Sequence, residues 1–296
     1  AVGLTPVMEH PAGFKSAQFS ADGKKVLTLS PQIGARVWNA NSGLPITDWL
    51  KGGDWNDSAI FSPDGRRVAT TFCDKVGPGV WGIRAARIWN AESGEPKSEP
   101  WTNCYSIDFS PDGQFAVTAT TSNVAIRSVN SGKQVRVIAS ATSTTVSSYF
   151  KYEGESKQQP APELPIFDSV TFSPDGKVVL GTKDTAAQLW EANTGLKLTG
   201  FDSTGDKWVK AKFSPDGKMI LTVVDNNTMR IWDAASGKPL TDLLIHESQI
   251  MAAQFSSDGS MVTTASFDKT ARVWDSESLL PITDTFNNSD WVRSVD

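Results

Sequence analysis

The pentapeptide Phe-Ser-Pro-Asp-Gly occurs four times in this chain, at Phe61 to Gly65, Phe109 to Gly113, Phe172 to Gly176 and Phe213 to Gly217. Two near copies, Phe19-Ser20-Ala21-Asp22-Gly23 and Phe255-Ser256-Ser257-Asp258-Gly259, extend the series at both ends. The phrase encodes a hairpin turn. Proline presets φ for the first corner of a type I turn, aspartate bonds its own backbone, and glycine takes the left-handed position that returns the chain.

Short apolar runs flank each turn, as in Val178-Val179-Leu180 and Met219-Ile220-Leu221-Thr222. A third run ends in tryptophan at Trp38, Trp89, Trp190, Trp232 and Trp274. Asn, Asp or Glu follows, then a second turn at Ser42-Gly43, Ser93-Gly94, Thr194-Gly195 or Ser236-Gly237, and a fourth extended run such as Pro239 to Leu244. Four β-type runs per unit, repeating at about 42 residues, are the sequence signature of a propeller blade.

These turns and strand-ending tryptophans resemble the WD40 repeat family, and the resemblance covers essentially the whole chain. Regular Phe-Ser-Pro-Asp-Gly and Ser-Gly-Lys-Pro phrases are similar to those of bacterial multi-repeat members, in which such a region is often part of a longer protein. The resemblance implies an all-β, WD40-type β-propeller: six complete four-stranded blades plus a split, incomplete seventh, in one domain over 1–296. Blades are expected at 14–51, 55–101, 104–140, 166–203, 207–247 and 249–287. Residues 1–10 align with a fourth strand and 291–296 with a first strand, the two halves of the split blade.

The bulk numbers narrow the function. A net charge of −5 without a basic run argues against nucleic acid, which needs clustered Lys and Arg. No window reaches the roughly 18 apolar residues of a membrane helix, so membrane insertion is not expected. Two cysteines, Cys73 and Cys104, make no disulfide framework and read as ordinary thiols, which favours the cytoplasm. With two histidines there is no zinc spacing, no Gly-x-Ser-x-Gly elbow and no phosphate loop. Neither an enzyme nor a cofactor is expected; a propeller enzyme would need a carboxylate or metal cluster in its funnel.

The family links a His, a Ser or Thr, an Asp and the strand-three Trp in a buried hydrogen-bonded set. Here that implies His246, Ser266, Asp268 and Trp274, a structural set that stiffens one blade. Blade three lacks the Trp and is expected to pack less well and open more readily.

Two units break the period: blade two lengthens between its second and third strands over 73–84, and an insertion spans 141–165. The family arrangement implies that both open on one rim. Trp81, Tyr149, Phe150 and Tyr152 escape the repeat, and Trp55, Trp208 and Trp291 recur near the start of inner strands with Phe14, Tyr105 and Phe167. These aromatics are candidates for binding a protein or peptide partner. The alternative is a structural spacer that assembles with other parts of its own longer chain.

Overall fold

The computed structural model describes residues 13–77, 80–140, 167–183, 186–202, 208–224, 227–278, 280–283 and 285–292. The chain divides into two compact units, Ala1–Asp168 and Ser169–Asp296. Among the described residues every regular element is a β-strand.

In the first unit, β1 (Ser16–Phe19), β2 (Lys25–Ser30) and β3 (Gly34–Asn39) make one sheet. A second comprises β4 (Trp55–Phe61), β5 (Arg67–Gly77), β6 (Val80–Asn90) and β7 (Trp101–Thr102), and a third β8 (Cys104–Phe109), β9 (Phe115–Thr120), β10 (Asn123–Ser128) and β11 (Gln134–Ser140). The second unit holds β12 (Ser169–Phe172), β13 (Val178–Lys183), β14 (Ala186–Glu191) and β15 (Lys197–Asp202); then β16 (Trp208–Phe213), β17 (Met219–Val224), β18 (Thr228–Asp233) and β19 (Leu244–Ile245). Its last sheet is β20 (Ile250–Phe255), β21 (Met261–Ser266), β22 (Thr270–Asp275) and β23 (Phe286–Asn287). Each sheet is an antiparallel meander in sequence order, the blade of an all-β propeller. The split seventh blade falls almost wholly outside the described residues.

The repeated phrase forms the first hairpin of every blade. Each serine hydroxyl reaches the aspartate two residues on, from Ser62 to Asp64 (2.6 Å) to Ser214 to Asp216 (2.7 Å). The glycine amide returns to the serine carbonyl, and the glycine sits at positive φ, +64° at Gly65. Polar atoms freed by the reversal are thus satisfied locally, and the strands on either side pair without a loop.

Proline decides how long each outer strand is. In the first, second, fifth and sixth blades a proline, Pro45, Pro96, Pro239 or Pro281, sits opposite the blade's tryptophan in a lone bridge. Proline donates nothing to a ladder and belongs at sheet edges. Accordingly the outer strand is only two residues in β7, β19 and β23, and in the first blade shrinks to two bridges, Trp38 to Pro45 and Ala35 to Leu50. Hydroxyls replace part of the missing ladder: Thr47, Ser98 and Thr241 accept the amides of Val37, Ile88 and Ile231 at 3.1–3.2 Å. The third and fourth blades carry Gln134 and Lys197 there instead, and their outer strands run seven and six residues.

The core lies between successive sheets of each unit. Leu27, Leu29, Val37 and Leu50 pack on Val68 and Trp89, and Ile88 and Trp101 pack on Ile107, Phe109 and Val129. In the second unit Leu180, Leu189 and Phe201 meet Ile220 and Trp232; Phe201 stacks on Trp232 with centroids 4.5 Å apart. Leu221, Met229 and Ile231 meet Val262 and Trp274. Trp89, Trp232 and Trp274 therefore bury their rings against the preceding sheet.

Candidate functional site

The sixth blade contains the only described histidine, and it is buried. His246 Nδ1 lies 2.8 Å from Asp268 Oδ2, and Nε2 lies 2.9 Å from Thr264 Oγ1. The same hydroxyl accepts the indole N–H of Trp274 at 3.0 Å. A carboxylate facing Nδ1 requires the ring proton there, so His246 donates to Asp268 and takes the Thr264 O–H at Nε2. Asp268 also accepts the Thr270 hydroxyl (2.5 Å) and amide (2.9 Å). Ser266 stands one step away: its Oγ accepts the Asp268 amide at 3.1 Å and donates to the Ser248 carbonyl at 3.0 Å. Burial works against ionisation of Asp268, but hydrogen bonds from Thr270 and His246 outweigh it and hold the carboxyl at about 2. Burial pushes the His246 imidazole below its ordinary value, against the pull of Asp268.

Thr264 does not stand out in the sequence, yet its position recurs. Trp38, Trp89 and Trp232 each donate Nε1 to a threonine, Thr28, Thr70 and Thr222, at 2.8 Å. These threonines, like Thr118 and Thr264, fall nine residues after the turn phenylalanine. Across the ladder an arginine stands opposite, and Arg36, Arg87, Arg230 and Arg272 lie 5.1–5.7 Å over the tryptophan two residues on. In the third blade the register puts Arg127 in the tryptophan's place, paired with Ala116 as Trp38 pairs with Val26. Arg127 donates Nε to Thr118 Oγ1 at 3.3 Å and lies 5.3 Å over Trp101 of the preceding sheet.

The candidate partner surface is the lengthened hairpin of the second blade. Strands β5 and β6 run 11 residues each where the second and third strands of every other blade run six. Their pairing continues past Cys73–Arg84 through Lys75–Trp81 to Gly77–Val80. The base of the extension is pinned by Asp54, whose Oδ2 accepts the Lys75 amide at 3.0 Å. Ile83 is 63% exposed, and Arg84, beside it, pairs with Asp57 at 2.5 Å and lies 5.3 Å over Tyr105. Lys15 donates to the Asp57 carbonyl at 2.7 Å.

Of the aromatic candidates, Trp55 opens β4 half-buried and Trp208 opens β16. Trp291 is 51% exposed and its ring lies 4.6 Å from that of Phe267. Trp81 sits in β6 opposite Lys75; its side chain, like that of Trp208, lies outside the described atoms. Tyr149, Phe150 and Tyr152 lie outside the described residues. Cys73 and Cys104 are free thiols, both buried. Burial pushes Cys104 up to about 12.

Successive antiparallel meanders, each with a turn phrase and most with a strand-three tryptophan tied to threonine, define a β-propeller built of WD repeats. A family model described as WD domain, G-beta repeat matches residues 199–233 and 237–275. The WD repeat-containing protein sll1491 of Synechocystis sp. is 26% identical over 164 residues, 54% of this chain and 39% of that protein. The chain therefore matches well under half the length of that relative. A crystal structure of the computationally designed Ika8 protein shares the fold with a TM-score of 0.69 at 16% identity, over 95% of this chain and 77% of the other. Residues 199–233 and 237–275 are thus similar to WD repeats, and the described sheets share the β-propeller fold.

Proposed function

We propose that this chain is a non-enzymatic interaction module that binds a protein or peptide on the rim carrying the second blade's hairpin. WD40 propellers are commonly interaction scaffolds and generally not enzymes, which supports the class. The observation that carries the reading is the β5–β6 extension: it reaches beyond the length at which the other blades end, and it presents Ile83 and Arg84 to solvent. A projecting hairpin adds little to the core, so its length calls for another reason. Arg84 is already held by Asp57 and Tyr105, so a partner would find it ordered and little entropy would be lost on binding. Trp81, Tyr149, Phe150 and Tyr152 join the same proposal on sequence grounds.

Affinity capture from the native source tests it, comparing the chain with a Trp81→Ala, Ile83→Ser, Arg84→Ala variant shown by circular dichroism to be equally folded. Loss of a captured protein from the variant alone is the expected result. Retention of every captured protein overturns the choice of rim.

A further inference from the structure

Between the second and third sheets lies a cavity of about 360 Å³ lined by Arg66, Arg67, Asn90, Lys97, Val129 and Asn130. It sits at the far end of β5 and β6 from their projecting hairpin, where the chain turns after β6 and β10. The lining brings three cations and no carboxylate. Its two side-chain acceptors are already occupied: Asn90 Oδ1 takes the amides of Glu92 (2.7 Å) and Ser93 (3.0 Å), and Asn130 Oδ1 takes Arg67 Nη2 at 2.6 Å. What remains is donors: both amide nitrogens, the Arg66 guanidinium, the rest of the Arg67 fork and the Lys97 ammonium. Such a lining is complementary to an oxyanion.

The preceding pair of sheets shows how the fold closes the equivalent place. Lys25 follows Gly23 by two residues as Arg67 follows Gly65, and Glu92 precedes Gly94 by two as Asn130 precedes Gly132. Between the first and second sheets, Lys25 forms an ion pair with Glu92. Between the second and third, an amide replaces the acid, so the cation keeps a hydrogen bond and loses its counter-charge. Among the described residues no ion pair joins Arg66, Arg67 or Lys97 to a carboxylate. The charges of both arginines act on Asp64, but its Oδ1 is committed to the Ser62 hydroxyl and the Arg66 amide.

We propose that this cavity binds a phosphate-type dianion, held by Arg66, Arg67 and Lys97 and oriented by the amides of Asn90 and Asn130. Its volume lies at the lower end of small-molecule sites, about 300–1,000 Å³, enough for a phosphoryl group with the moiety that carries it. The site is separate from the hairpin rim and stands or falls independently of it.

Calorimetric titration of the whole chain with inorganic phosphate, then with a phosphoserine-containing hexapeptide, tests the site. Saturable binding that weakens as sodium chloride rises is expected. Asn130→Glu supplies the missing carboxylate and should recreate the Lys25–Glu92 arrangement. Affinity should then fall by about tenfold or more, as it should in Arg67→Gln. A tighter peptide than free phosphate would mark a protein-borne phosphate, and equal affinities a free ion; either supports the site. No saturable binding, or Asn130→Glu binding as the wild type does, overturns it.

Discussion

Thr264 accepts the indole N–H of Trp274 at 3.0 Å while its own proton goes to His246. One hydroxyl thereby satisfies two buried rings from different parts of the blade. Thr264→Val keeps the shape and removes the bridge, stranding an indole N–H and an imidazole nitrogen. Stability should fall by about 3 kcal/mol, the cost of leaving such buried groups unpaired. Thr264→Ser should lose less than half as much, and urea unfolding measures both. A neutral Thr264→Val would remove the hydroxyl from the blade's energetics.

Acid should unfold the sixth blade in two stages. His246 has a folded-state pKa below its usual 6.5, so the unfolded chain takes up the proton first, and stability begins to fall as pH drops through 6.5. Asp268 is depressed as well. Its contribution is present above the ordinary aspartate value of 3.8 and is lost as pH falls from there to about 2. In Asp268→Asn the loss across the lower window should shrink relative to wild type. Turn aspartates such as Asp258, held at about 2 by the Ser256 and Ser260 hydrogen bonds, lose stability over the same range in both proteins and cancel in the comparison. Equal slopes below pH 4 in the two proteins would contradict the assignment.

Two glycines separate conformational cost from steric cost. Gly23 has φ +68° with nothing within 4 Å of the place a Cβ would take, so Gly23→Ala should cost only the left-handed penalty, about 1 kcal/mol. Gly34 has φ +129°, and a Cβ there would fall 2.8 Å from the Leu50 carbonyl oxygen. That carbonyl accepts the Ala35 amide in the bridge that closes the first sheet's edge. Gly34→Ala should therefore destabilise the chain clearly more than Gly23→Ala in thermal unfolding. Equal losses would mean that the edge bridge contributes nothing.

Most of the fold was legible because its determinants are local. A Ser-Pro-Asp-Gly turn needs no distant partner, whereas the shortening of four outer strands by Pro45, Pro96, Pro239 and Pro281 showed only in the pairing. The hydrogen-bonding threonines were harder to see, since a threonine in a strand already satisfies β propensity. Their signal was positional, nine residues after each turn phenylalanine, and Gly181 breaks even that in the fourth blade. Nor could charge alone distinguish Lys25 from Arg67. What differs is the residue facing each from the next sheet, Glu92 or Asn130, and only packing brings these together. Ile83 lay within the lengthened stretch 73–84, and only the extended β5–β6 pairing showed it to be an exposed residue of a strand.

The third blade yields the sharpest contrast with its sequence. Its missing tryptophan suggests a loose unit, but Arg127 occupies the same register, bonds the same threonine position and covers Trp101 of the neighbouring sheet. Burial pushes the guanidinium below its usual pKa, the mark of a charge held partly out of water. The stacking and the Thr118 bond must offset that cost. Arg127→Ala removes both and leaves a gap beside Trp101; stability should drop by about 2 kcal/mol, with amide exchange over 115–128 accelerating before the rest of the unit. Arg127→Lys keeps the charge but not the planar face, and should restore less than half of the loss. If exchange over 115–128 is already the fastest among the described strands of the wild type, and Arg127→Ala leaves it unchanged, the arginine is no substitute for tryptophan and the blade is loose, as its sequence suggests.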